Sequence, residues 1–154
     1  MIESVFIWLG NTPPGLFLAQ YTAAFAATES VHIVALALVG GVVLVADLAV
    51  LGMLLKTTSV FVVMRQLRVL YAAALVVVAA SGVLLVAAGP YKYYTNPLFP
   101  LKLALLLAAL ILQRTLARRL RRHEKIDRIA RVLAATSLAL WTGVVIAGRW
   151  LGLI

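Results

Sequence analysis

Cysteine is missing altogether from the 154 residues. Its absence excludes disulfides, thiolate metal sites and cysteine nucleophiles, and it leaves the redox compartment open. Charge is scarce as well: Asp, Glu, Lys and Arg make up 12% of the chain, where a soluble domain averages nearer about one quarter. With hydrophobic residues at 64%, there is too little polar surface to cover a water-soluble globule. The N-terminal MIESVFIWLGNTPP has no basic stretch before its short apolar run, so it makes a poor signal peptide and is expected to belong to the mature protein. No phosphate loop, zinc motif or nucleophile–base pair is present, so nothing points to hydrolytic chemistry or to an enzyme acting on its own.

What the chain does have is long apolar runs. The stretch Thr28 to Leu55 can cross a bilayer and carries most of the unusual chemistry, namely Glu29, His32 and Asp47. At about 100° per residue, Glu29 and His32 are neighbours one turn apart, and Asp47 returns to within about 60° of His32. A charge at membrane depth costs roughly 2.5 kcal/mol or more, so such groups face a protein interior or a wet cavity.

Taken in order, residues 4–9 are apolar but too short to span, and Asn11 to Gly15 reads as a turn, because paired prolines forbid a helix interior. Residues 16–27 carry Phe17, Tyr21 and Phe25 at i, i+4 and i+8 and read as an interfacial helix, the last part of an interfacial segment of about 4–27. A bend is expected near Thr28, with Thr28 as N-cap of the first span. Spans are expected over about 30–55 (ended by Lys56), 69–89, 98–117 and 132–153, with PYKYYTNPLFP as an ordered interfacial loop. The predicted fold is therefore one all-α integral membrane domain, a four-transmembrane-helix bundle preceded by an interfacial helix.

The basic residues set its orientation. Lys56, Arg65, Arg68, Arg114, Arg118, Arg119, Arg121, Arg122, Lys125, Arg128 and Arg131 fall on one side, and only Lys92, Lys102 and Arg149 on the other. This bias predicts that both termini face outwards. The run from Arg114 to Arg131 suits anionic lipid headgroups, each basic residue contributing about 1 kcal/mol. A docking surface for a soluble partner is the alternative, whereas Glu124 and Asp127 within the run argue against nucleic acid. In the last span Ala135, Ala139, Gly143 and Ala147, with Gly148 and Gly152, suggest a small-residue packing seam, and Gly40-Gly41 a matching groove or room for a flat ligand.

With that topology Glu29, His32, Lys102 and Arg149 lie near the outer face, where they could form one cluster beneath Tyr91, Tyr93 and Tyr94. Such a cluster could bind a haem edge, a quinone headgroup or an ion, or it could simply staple the bundle. Asp47 could pair with Arg114, Arg65 or Arg68 at the inner end. Haem would need an axial ligand, and His32 qualifies by depth. His123 lies in the basic connection on the other side, so bis-histidine ligation within this chain fails. Protein-only metal binding is weaker still, since His32 and Glu29 supply two ligands.

Glu29-Ser30-Val31-His32, Asp47-Leu48 with Leu51-Gly52, Asn96-Pro97 with Phe99 and Lys102, and Gly148-Arg149-Trp150 occur in order along the chain. Together they resemble a family of small bacterial inner-membrane proteins of unknown function. The resemblance implies four helices, an inner-membrane location and a shared polar set matching Glu29, His32, Asp47, Lys102 and Arg149, and it brings no established activity. The family pattern often has arginine where Ala49 stands and histidine near Gln113, so this chain lacks a second intramembrane histidine. Three functions are expected to compete. One is a redox accessory or subunit holding haem b or a quinone headgroup near the outer face. The second is a transporter of ions, protons or small solutes using the Glu29, His32 and Asp47 helix face. The third is a structural or assembly subunit of a membrane complex.

Overall fold

The computed structural model describes residues 2–54, 60–122 and 126–153; the expected helix stop at Lys56 and the loop residues His123, Glu124 and Lys125 lie outside them. Every regular element among the described residues is helical: α1 (Ile2–Gly10), α2 (Pro13–Gln20), α3 (Thr22–Val50), α4 (Val60–Ala88), α5 (Pro90–Thr95), α6 (Leu98–Arg122) and α7 (Arg128–Leu153). Four of them, α3, α4, α6 and α7, are long and apolar enough to cross a membrane. The 29 residues of α3 rise about 44 Å, more than the roughly 30 Å of hydrocarbon, which leaves room for tilt or for ends in the headgroups. Outward-facing Val34, Val76, Leu107 and Val145 are all exposed, as suits helices solvated by lipid chains.

Several boundaries differ from the sequence expectation. Pro13 and Pro14 do not form a turn; they open α2, because a first helical turn has no intrahelical use for their missing N–H. The bend before the first span falls at Tyr21, not near Thr28. Thr28 does not cap: its hydroxyl donates to the Ala24 carbonyl at 2.9 Å from inside α3, the back-bonding that lets threonine sit within a helix. At the other end α3 stops at Val50, five residues short of Leu55. Gly52 adopts φ +79, and the Gly52 and Met53 N–H groups bond to the Ala49 and Leu48 carbonyls at 3.1 and 2.9 Å, the Schellman stop that a residue with a Cβ resists. Arg65 and Arg68, expected in a connection, belong to the first turns of α4, and the arginines up to Arg122 belong to α6. Long basic side chains can snorkel, so they need not end a helix.

The chain forms two compact units, Met1–Val39 with Leu70–Phe99, and Gly40–Val69 with Pro100–Ile154. In the first, α1 is held by aromatic contacts: the Phe6 ring lies 5.7 Å from Tyr94 and 6.0 Å from Phe99, and Tyr93 lies 5.5 Å from Phe99. Gly15 brings the start of α2 against the end of α4, where a Cβ would stand 2.9 Å from the Ala87 carbonyl oxygen.

In the second unit Val50, Leu116, Ala130 and Ala134 form an apolar core with Leu51, Val60, Leu120 and Leu133 packed against it. The seam on α7 is the expected one only in its second half, where Ala147 is buried and a Cβ at Gly143 would stand 3.5 Å from Leu105. Ala135 and Ala139 are exposed, and the buried stripe is Ala130, Ala134, Ser137, Trp141, Val144, Ala147 and Leu151. A step of four residues drifts about 40° per repeat, so only alternating threes and fours stay on one face. Gly40 and Gly41 are not a packing groove either, since a Cβ at either position would meet nothing within 4 Å.

Candidate functional site

Among the described residues each compact unit contains one buried polar cluster. In the first, His32 of α3 reaches α4, with Nδ1 2.9 Å from the Ser81 hydroxyl. The Ser81 hydroxyl has one proton, and the Val77 carbonyl of its own helix lies within its reach at 2.5 Å. Which of the two donates across the His32–Ser81 contact follows the tautomer of the ring. This is one among the interactions of His32. Gly82 makes the approach possible, because a Cβ there would stand 3.3 Å from the imidazole Cε1. Glu29, one turn earlier, is exposed. Its carboxylate acts on Tyr93 in α5, whose phenol is held above its usual pKa by burial first and by Glu29 second.

In the second unit Asp47 is fully enclosed, at 0% exposure. It does not pair with Arg114, Arg65 or Arg68, all of which are exposed. Its partners are neutral: the Ser137 hydroxyl of α7 donates to the carboxylate, and Gln113 Nε2 of α6 donates to both carboxylate oxygens at 3.0 Å and to the Ser137 hydroxyl oxygen at 2.7 Å. Three helices thus meet at one amide. Arginine loses here because its long side chain on α6 or α4 reaches headgroup or solvent at little cost, whereas burial beside Asp47 would desolvate a second charge. One turn along α7, Trp141 is buried at 6% exposure and its indole Nε1–H has no hydrogen-bond partner among the described residues.

The four residues expected to cluster at the outer face divide between the units, with Glu29 and His32 in the first and Lys102 and Arg149 in the second. Lys102 lies over Gly148, where a Cβ would stand 3.3 Å from its Cε and 3.4 Å from its Nζ, next to the exposed Arg149. Gly148 therefore seats a lysine stem rather than a helix backbone. Among the described residues no three or more of His, Asp and Glu are grouped as metal ligands would be.

Sequence reasoning missed Ser81, Gln113, Ser137 and Trp141. Ser81-Gly82 was the one polar, small pair in the charge-free run of α4, and Ser137 and Trp141 share the seam on α7 once its spacing is read as alternating threes and fours. Toward the other end of α6, Arg119 forms an ion pair with Asp127. Asp127 also caps α7 by accepting the Ala130 N–H at 2.9 Å, so part of the basic connection is structural.

A helical fold with four candidate spans and polar clusters inside them defines a small polytopic membrane protein. The chain belongs to the family of unknown function DUF6644, whose pattern matches residues 3–154. Neither the comparison with curated proteins nor that with solved structures gives a match.

Proposed function

We propose that the protein handles protons or a small monovalent cation within the membrane, with Asp47 as the acceptor. The observation that carries this reading is a carboxylate at 0% exposure inside a membrane span, bonded by a neutral amide and with no ion pair to a basic side chain among the described residues. A carboxylate that served only as a staple would gain most from an opposite charge, and intramembrane acids of this kind mark ion and proton pathways. The reading places the protein in a bacterial inner membrane with both termini outside, the Arg114–Arg131 run lying against anionic headgroups and a larger membrane complex as the setting if it acts as a subunit. Proteoliposomes with a trapped pH indicator and an imposed potential test it. Native protein should pass protons or the cation faster than Asp47→Asn, and flux no greater than in empty vesicles contradicts it.

The His32–Ser81 bond favours a second reading, a redox accessory holding haem b or a quinone headgroup at the outer end, with Glu29 one turn before His32. A ring held by a hydrogen bond at Nδ1 is oriented as a ligating imidazole is by its surroundings. The absorption spectrum of the purified protein, with quinone extraction beside it, decides this reading. His32→Leu should abolish the signal while leaving the chain folded.

A further inference from the structure

The Trp141 indole is a donor only, and a buried donor with no acceptor is costly anywhere and more so in a membrane. Its surroundings identify what it meets. The antiparallel pairing of α6 with α7 is fixed by Gln113 against Ser137 and by Lys102 against Gly148. Midway in that register Ala109, fully buried, stands opposite Trp141 and has only a methyl group to offer. A large side chain in a helix usually leans back over the preceding turn, and for Trp141 that turn contains Ser137. The Ser137 hydroxyl gives its proton to the Asp47 carboxylate, and of the two lone pairs on its oxygen Gln113 takes one. The two residues stand about 5.4 Å apart along the helix axis, within the span of two hydrogen bonds of about 2.8 Å that meet at one oxygen atom.

We infer that an internal water sits between the Trp141 indole N–H and the Ser137 hydroxyl, extending the Asp47–Gln113–Ser137 chain by one turn along α7. The water accepts from Nε1–H and donates to the free lone pair of Ser137, which gives it the two partners a buried water needs. The site stands on geometry and holds whether or not Asp47 carries protons, so liposome flux and this site can fail separately.

The test is indole 15N–1H spectroscopy of the full chain in lipid nanodiscs, with Trp8→Phe and Trp150→Phe, both at exposed positions, leaving Trp141 as the reporter. The expected result is a hydrogen-bonded indole resonance with a cross-peak to water, weakened in Ser137→Ala. A free-indole resonance overturns the inference, and so does a water cross-peak that Ser137→Ala leaves unchanged. A bonded resonance without a water cross-peak, lost on delipidation, also overturns it and assigns the acceptor to the carbonyl of a lipid-soluble molecule. As a second readout, replacing Trp141 with its benzothiophene isostere, which lacks only the N–H, should lower the melting temperature. An unchanged or raised value contradicts a bonded N–H.

Discussion

The two polar clusters solve the same problem by different means. His32 is half-buried, touches a hydroxyl that already has a backbone acceptor, and keeps its place through the missing side chain of Gly82. Asp47 is sealed, and its amide partner is shared with a third helix through Ser137. Losing His32 would leave Ser81 bonded to its own helix, whereas losing Gln113 would leave a carboxylate and a serine to rearrange together. The first cluster is thus a local contact between two helices, and the second binds three. A group that costs so much to bury, and that only neutral donors hold among the described residues, is the better candidate for function.

The largest expected effect that sharpens this contrast is Gln113→Leu. Removing both hydrogen bonds to a buried carboxylate should cost roughly 2–3 kcal/mol, read as a lower unfolding midpoint in mild detergent. A loss as small as that of His32→Leu would show that the two clusters are equivalent. Gly82→Ala comes next. The added methyl presses on a ring that is itself packed, and about 1 kcal/mol is expected. Gly148→Ala meets only the flexible stem of Lys102 and should cost less. His32→Leu follows at about 0.6 kcal/mol, the usual size of one interhelical hydrogen bond in a membrane.

The smallest effect concerns Tyr93. Its folded-state pKa is raised, by burial and then by Glu29, above the unfolded value of about 10. Its contribution is therefore complete below about pH 10 and is lost as pH rises through the folded value. Tyrosinate absorbance should show a late component that Tyr93→Phe removes, while a titration unchanged in that variant contradicts the burial argument.

Much of the fold was legible, because a bilayer demands long apolar helices and rewards nothing else. Span number followed from that demand. Helix ends were less legible where the signal was local chemistry: the stop at Gly52 depends on one left-handed residue, and the start at Pro13 on tolerance of proline in a first turn. The ionisable residues Glu29, His32, Asp47, Lys102 and Arg149 stood out because charge is rare in these spans. Their neutral partners did not, since a serine or glutamine in a span is unremarkable until packing shows what faces it. The expectation that Asp47 seeks an arginine followed charge alone and neglected the second desolvation that such a pair requires.

The central claim, that Asp47 exchanges a proton or cation inside the membrane, is tested most directly by isotope-edited infrared spectroscopy. Protein labelled at the aspartate side-chain carboxyl carbons, in lipid, would be titrated with pH and with monovalent cations, and Asp47→Asn subtracted. The account predicts a carboxyl band absent from the variant that changes form or frequency across the titration. A band assigned to Asp47 that stays the same at every pH and with every cation would contradict it and leave Asp47 as a staple between three helices.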